Sequence, residues 1–136
     1  MEDCIFCKII NGDLPSYKLY EDDLFYVMLD KFPRSLGHTL ILTKSHSANI
    51  FELSPQESDG VFTLTKKIAT FLRANLPAQD FNILQNNGKA AGQEVAHFHI
   101  HIVPRYPTNA AVPTKDKIST QHFEDIVDKF KNFAVN

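Results

Sequence analysis

The order of elements along the 136-residue chain predicts an α+β fold, an antiparallel five-stranded sheet with helices packed on one side. Apolar residues recur at helical spacing in three segments, and five short runs between them have the composition of strands. In chain order these are a helix, three strands, a helix, two strands and a helix. The chain is 43% hydrophobic and 22% charged, which fits a single globular domain over residues 1–136.

The first helix is predicted in "CIFCKIIN", where Ile5 and Ile9, and also Phe6 and Ile10, lie four residues apart. The turn-forming "NGDLP" ends it. The runs "YKLYE" and "FYVMLD" follow as two strands, separated by "DD" as a turn signal, and "HTLILT" is the third strand after "KFPRSLG".

A long helix is predicted to begin at "SPQE". Ser54 is its N-cap, Pro55 takes the first helical position and Glu57 closes a capping box. The helix is expected to run to about Leu76, before Pro77. Its apolar residues recur at steps of three and four, which predicts one face buried against the sheet. These residues are Val61, Leu64, Ile68, Phe71 and Leu72.

The last third of the chain supplies two strands and a helix. "DFNILQNN" and "AHFHIHIVP" are the fourth and fifth strands, joined by the glycine-bearing "GKAAGQEV". Residues 107–113 are expected to form a loop. "STQHFEDIVDKFKNF" has apolar residues at helical spacing and late lysines, which predicts a short amphipathic helix with His122 at its surface.

Charge and hydropathy exclude several classes of partner. The net charge of −2 lacks the basic excess typical of proteins that bind a nucleic-acid duplex. No stretch approaches the roughly 20 apolar residues of a membrane span. The acidic start "MEDCIFCKII" is soon interrupted by "NGDLP", unlike a signal peptide. We therefore expect a soluble, cytoplasmic protein with no membrane partner.

The segment "HFHIHIVP" places His97, His99 and His101 at alternate positions. In a strand all three share one face, with neighbours about 7 Å apart and the outer pair about 13 Å apart. Such spacing is too wide for all three to bind one metal ion, whose nitrogen ligands lie about 2 Å away. A single histidine would fit the polar face of a half-buried strand, whereas three alternating histidines favour a chemical role.

The two cysteines, Cys4 and Cys7, form a C-x-x-C pair with three interpretations: a redox pair, a strained disulfide or half of a zinc site. A redox pair normally follows a strand and opens a helix, whereas this pair lies almost at the start of the chain. Zinc is favoured, provided that two further ligands exist.

The segment "GQEVAHFHIHIVPRY" resembles the histidine triad family, in which alternating histidines end the last strand. "CIFCKIINGDLP", "YEDDLFYVMLDKFPRSLGHTLIL" and "NNGKAAGQ" support the resemblance, in the family's order and spacing. It covers residues 4–106 and leaves a C-terminal tail, 107–136, outside. Within the family the chain is most similar to the nucleotide-binding branch whose bacterial members carry zinc. The resemblance also implies a homodimer in which two sheets join into one.

The resemblance implies catalytic roles for the triad, His97, His99 and His101. His99 would attack the α-phosphorus of a purine nucleotide and form a nucleotidyl-histidine that water cleaves. His101 would contact the phosphate, and His38 would order the hydrogen bonds of the triad from behind. The activity implied is a nucleotidyl hydrolase or transferase with an amine or acyl-phosphate leaving group. The alternatives are a dinucleoside polyphosphate hydrolase and a nucleotide-binding interaction module with low turnover.

The same resemblance implies one structural zinc per chain, with His46 and His97 completing the site that Cys4 and Cys7 begin. Such a Cys2His2 set is closed and tetrahedral.

The loop before the triad has the composition of a phosphate cradle. Gly88 and Gly92 let backbone N–H groups approach an anion, and Asn86 and Gln93 supply side-chain donors. The resemblance assigns this loop to the ribose and phosphate. It also assigns Asp30 to the ribose hydroxyls.

The base pocket implied by the resemblance is apolar, and each of its residues could equally be ordinary core. Its residues are Phe6, Ile9, Leu14 and Met28. One position departs from the family: Glu94 stands where well-studied relatives have the serine that helps to protonate an amine leaving group. A carboxylate could act as that acid only with a raised pKa.

Overall fold

Five strands form one antiparallel sheet in the order β1-β2-β3-β5-β4, in a computed structural model that describes residues 3–133. The strands are β1 (Lys18–Glu21), β2 (Phe25–Leu29), β3 (Thr39–Thr43), β4 (Asp80–Leu84) and β5 (His99–Arg105). Every neighbouring pair is antiparallel. The five-stranded antiparallel sheet predicted from the sequence is therefore confirmed.

Three helices accompany the sheet: α1 (Ile5–Ile10), α2 (Pro55–Asn75) and α3 (Thr120–Lys129). α2 begins with the predicted capping box, in which Ser54 Oγ accepts from the Glu57 N–H and Glu57 Oε1 accepts from the Ser54 N–H. α3 has a similar cap, because His122 Nδ1 accepts a hydrogen bond of 2.9 Å from the Ser119 N–H. His122 thus caps its helix in addition to lying near the surface.

The two faces of the sheet bury different cores because strand residues alternate between them. Val27 and Ile41 face the side covered by α2 and α3, and this is the larger core. Met28 and Leu40 face the other side, where Phe6 of α1 packs on them. The expectation of helices on one side holds for the two longer helices, whereas the six-residue α1 lies on the opposite face. That opposite face carries the candidate site.

The fifth strand begins later than predicted. Its ladder with β3 starts at His99, opposite Leu42. Just before it, the Phe98 N–H donates to Ser47 O and the His97 N–H donates to Val95 O. Because these N–H groups bond outside the strand ladder, His97 precedes the strand that holds the other two histidines.

Two apolar surfaces remain uncovered by the rest of the chain. Phe62 on α2 is 69% exposed, and β4, at one edge of the sheet, exposes Ile83 and Leu84. Within residues 3–133, none of the helices has both the length and the apolar character that a bilayer crossing requires.

Candidate active site

A cavity of about 640 Å³ opens on the face of the sheet that carries α1. His99 and His101 of β5 lie in its lining, Phe6 and Ile9 come from α1, and residues 86–95 contribute part of the wall. Strand alternation explains why His99 and His101 are there together while Ile100 and Ile102 enter the larger core.

The hydrogen bonding of His99 determines which of its nitrogens carries the proton. Its Nδ1 lies 2.7 Å from the backbone carbonyl oxygen of His97, which can only accept. Nδ1 therefore carries the hydrogen, and the lone pair of the neutral ring is on Nε2. Burial lowers the pKa of His99, although the His97 carbonyl, Asp30 and Glu94 oppose the shift. The ring is neutral at pH 7 and has a nucleophilic nitrogen.

His101 is oriented by a chain of hydrogen bonds that begins at the backbone of Arg34. The Arg34 N–H donates to His38 Nδ1 over 3.0 Å, so the hydrogen of neutral His38 is on Nε2. His38 Nε2 lies 2.9 Å from His101 Nδ1 and donates to it. His101 then carries its own hydrogen on Nε2, where a phosphate oxygen can accept it. Burial is the main cause that lowers the pKa of His38 to about 3 and that of His101 to about 4.

Asp30 stands at the end of β2, beside this chain. Its Oδ1 accepts from the Phe32 N–H at 2.8 Å, and its Oδ2 lies 3.5 Å from His38 Nε2. The side chain lines the cavity, and burial raises its pKa. The carboxylate is thus held at the cavity wall by its own turn.

The loop over residues 86–95 is ordered largely by Gln93. Its Oε1 accepts from the Gly88 N–H at 2.7 Å, and its Nε2 donates to the carbonyls of Ala48 and Val95 at 2.6 and 2.9 Å. Both amide hydrogens are used inside the protein, so the expected free side-chain donor is not available for a ligand. Gln93 lines the cavity and fixes the shape of the loop instead.

Two glycines in this loop have positive φ, as the phosphate-cradle prediction requires. Gly88 has a φ of 94° and Gly92 a φ of 91°, a region that other residues adopt only with strain. Gly92 lines the cavity beside Asn86 and Glu94, whereas Gly88 lies outside the lining.

The apolar part of the cavity differs from the prediction at one residue. Phe6, Ile9 and Met28 line it, but Leu14 does not. The N–H groups of Asp13 and Leu14 both bond to Lys8 O, which wraps the chain around the end of α1 and leaves Leu14 38% exposed. Leu40 of β3 contributes to the lining in its place.

The cysteines and two histidines form a separate cluster next to the cavity. The ligand atoms of Cys4, Cys7, His46 and His97 all lie within 4.8 Å of one another. His97 Nδ1 lies 3.3 Å from Cys4 Sγ and 3.6 Å from Cys7 Sγ, and His46 Nδ1 lies 3.3 Å from Cys7 Sγ. Tetrahedral zinc bonds of 2.0–2.3 Å place ligand atoms about 3.3–3.8 Å apart, so the set fits zinc.

The protonation of this cluster also suits a cation. His97 Nε2 lies 2.7 Å from the Thr43 carbonyl oxygen and must donate to it, which leaves the Nδ1 lone pair for a metal. Burial raises the pKa of the Cys7 thiol, and the neighbouring Cys4 raises it further. A divalent ion reverses that tendency and favours the thiolates.

The triad is therefore divided between two sites. His97 is fully buried and belongs to the thiol cluster, outside the cavity that His99 and His101 line. His97 precedes β5, which starts at His99, but the Phe6 ring of α1 packs edge-on against the rings of both histidines, so His97 still lies on the α1 side of the sheet.

Several cavity residues escaped the sequence prediction. Lys31, Phe32 and Arg34 line the cavity from the loop between β2 and β3. Phe32 is 83% exposed. Their position directly after Asp30, in "KFPR", was the only available signal.

Comparison with known proteins identifies a family and several relatives of this chain. A family model of the HIT domain matches residues 11–108. "Protein hit" of Bacillus subtilis is 45% identical over 105 residues, 77% of this chain and 72% of that protein. The adenosine 5′-monophosphoramidase hnt1 of Schizosaccharomyces pombe is 42% identical over 102 residues, 75% of this chain and 74% of the enzyme. A zinc-bound histidine triad family protein from Mycobacterium smegmatis superimposes with a TM-score of 0.82 at 33% identity, covering 96% of this chain and 94% of that one.

Proposed function

Since this chain belongs to the histidine triad (HIT) family, whose members include nucleotide hydrolases, we propose that it cleaves a nucleoside phosphate derivative at the α-phosphorus through a nucleotidyl-His99 intermediate. One observation carries the proposal. The backbone carbonyl of His97 holds the proton of His99 on Nδ1 and leaves Nε2 as a free nucleophile in a histidine that lines the cavity.

The reaction takes two substitutions at phosphorus. In the first, the Nε2 lone pair of His99 forms the P–N bond, and the bond to the leaving group breaks with its electron pair on the leaving atom. An amine leaving group takes a proton from water, whereas a carboxylate or acyl phosphate leaves as a stable anion. In the second, water attacks phosphorus, loses a proton and returns neutral His99. One water is consumed, and a nucleoside monophosphate is released.

The other cavity residues bind and orient the substrate in this proposal. The Nε2–H of His101 donates to a phosphate oxygen, and the chain of hydrogen bonds from Arg34 through His38 keeps that proton on Nε2. Backbone N–H groups near Gly92 and the side chain of Asn86 contact the phosphate. Asp30 accepts hydrogen bonds from the ribose hydroxyls.

The substrate class proposed is a purine nucleoside phosphoramidate or acyl nucleotide. The named activity of the fission yeast relative supports the phosphoramidate. The base would occupy the apolar end of the cavity, between Phe6 and Ile9 on one side and Met28 on the other.

We also propose one structural zinc ion per chain, held by Cys4, Cys7, His46 and His97. These residues would hold the ion and so join the N-terminal segment to the chain just before β5, and the bound ion would supply folding energy. Four protein ligands would fill a tetrahedral site and leave no ligand position for catalysis. Reduced thiol ligands persist in a cytoplasm, which is the compartment we propose.

We further propose that the chain forms a homodimer. Phe62 is not covered by α3, and the β4 edge exposes Ile83 and Leu84. Partly apolar, unpaired edges are usually paired or covered in natural proteins, and a second copy of the chain satisfies both surfaces.

The test compares the wild type with His99→Ala on adenosine 5′-phosphoramidate and on a panel of diadenosine polyphosphates. We expect His99→Ala to lose more than 99% of kcat, about 2.7 kcal/mol or more, while its Kd for AMP changes less than about threefold. His122→Ala is the control, because His122 lies on α3 and is not among the residues that line the cavity. This variant should keep full activity. Mass spectrometry of the quenched wild-type reaction should detect a nucleotidyl adduct on His99.

The outcomes separate the candidate functions. A His99→Ala variant that keeps more than a tenth of kcat contradicts the covalent mechanism. Preferred turnover of diadenosine polyphosphates assigns the chain to that class of hydrolase. Tight AMP binding without turnover of either substrate leaves a nucleotide-binding module.

A further inference from the structure

Glu94 is a carboxylate on the cavity wall for which the proposed mechanism has no use. Its side chain is exposed and lines the same cavity as His99. Among residues 3–133 it makes no hydrogen bond or ion pair through its side chain. The preceding residue, Gln93, is tied down by three hydrogen bonds, which fixes the backbone from which Glu94 projects.

The lining of the cavity carries charges of both signs. Lys31 and Arg34 line it from the loop after Asp30, and Asp30 itself lies at the cavity wall. Glu94 lines it from the loop before β5, and His99 lines it from the first residue of that strand. The Glu94 carboxylate and the nucleophile therefore open onto the same cavity.

An unpaired carboxylate at this place works against the proposed substrate. The phosphate that His99 attacks carries a negative charge, and two like charges within the same cavity repel each other. Asp30 is already a carboxylate in the lining, and a ribose needs only one such acceptor. A positive charge on the substrate itself removes the conflict, since it can pair with Glu94 while the phosphate reaches His99.

We propose that Glu94 is a specificity-determining residue that pairs with an ammonium group carried by the leaving group of the substrate. The inference rests on the proposed function and narrows its substrate class. The class is a nucleoside 5′-phosphoramidate or acyl nucleotide whose leaving amine or acid bears a second, protonated amine. Glu94 binds this distal group and takes no part in the bonds made and broken at phosphorus.

Three synthetic substrates test the charge directly. Each is an adenosine 5′-phosphoramidate with a two-carbon chain on nitrogen, ending in an ammonium, a hydroxyl or a carboxylate group. For the wild type, we expect kcat/KM to fall in that order, with about tenfold between the ammonium and carboxylate substrates, because Glu94 attracts the first charge and repels the second. The ratio should shrink as salt rises, because exposed charges are screened.

Glu94→Gln is the decisive variant, since it removes the charge and keeps the shape. We expect it to reduce the ammonium-to-carboxylate ratio to within about threefold of unity, with the hydroxyl substrate changed least. Glu124→Gln, the same change on an exposed residue of α3, is the matched control and should preserve the wild-type ratio. Both sites are exposed, and unchanged melting temperatures check that both variants fold.

A ratio in Glu94→Gln equal to that of the wild type overturns the inference. So does a wild-type preference that appears only with added Mg²⁺, because it assigns Glu94 to a metal ion. Failure of the proposed function is distinguishable, because then none of the three compounds is turned over. Calorimetric affinities of the same compounds for wild type and Glu94→Gln still report in that case whether Glu94 discriminates them.

Discussion

The chain of hydrogen bonds from Arg34 through His38 to His101 requires neutral imidazoles in the folded state. The loss of folding stability at acid pH tests this requirement. Burial is the first cause of the lowered pKa of His38, which is about 3 against an ordinary 6.5. Below pH 6.5 the unfolded chain takes up a proton on this residue, whereas the folded protein does not. Stability is therefore lost as the pH falls from 6.5 towards 3, and nothing is lost above that range.

The size of the effect follows from the width of this interval. One pH unit corresponds to about 1.36 kcal/mol per proton, so at pH 5 the buried His38 costs about 2 kcal/mol relative to pH 7. His101, with a pKa of about 4, has the same sign and a similar cost at pH 5. Two imidazoles thus remove about 4 kcal/mol, a large part of the stability of an ordinary domain.

The perturbation that isolates His38 is His38→Asn. Asparagine Oδ1 can accept from the Arg34 N–H as His38 Nδ1 does, and the amide does not titrate. Urea unfolding at pH 7 and pH 5 should give a loss about 2 kcal/mol smaller in the variant than in the wild type. Groups common to both proteins, including the metal ligands, cancel in this difference. If the wild type and the variant lose the same stability between pH 7 and pH 5, within about 0.5 kcal/mol, His38 is not a buried neutral imidazole. The chain of hydrogen bonds through it is then refuted as well.

Three further predictions concern the metal, the backbone and assembly. Elemental analysis should find one zinc per chain, and chelation or Cys4→Ser should lower the Tm; a metal-free preparation with both thiols titratable contradicts this. Gly37→Ala should cost about 1 kcal/mol more than Gly12→Ala in urea unfolding. Both glycines have a φ near +87°, but only at Gly37 does an added Cβ meet a neighbour, Leu76 Cδ1 at 2.8 Å, and equal costs would rule out the clash. Sedimentation should give twice the 15.4 kDa chain mass for the wild type and a shift to monomer for Phe62→Glu, whereas a fully active wild-type monomer excludes the dimer.

Local signals in the sequence were sufficient for the elements of the fold. Ser54 and Glu57 predict the start of α2 because a capping box is formed by residues three apart, and the structure begins the helix there. The alternation of His99 and His101 with apolar residues predicts one polar and one buried face, because strand geometry has a period of two. Such patterns need only the nearest neighbours in the chain.

The candidate site depended on contacts that no local pattern encodes. The nitrogen left free in each histidine is set by backbone partners, such as the His97 carbonyl for His99 and the Thr43 carbonyl for His97. Any residue type can supply these backbone groups, so they leave no mark in the sequence. The separation of His97 from the cavity, and the turn that exposes Leu14, likewise follow from where the backbone leaves its ladder or wraps a helix end. The resemblance already assigned His97 to the thiols and His99 to the nucleotide, whereas tertiary structure alone decided which nitrogen of each ring is left free.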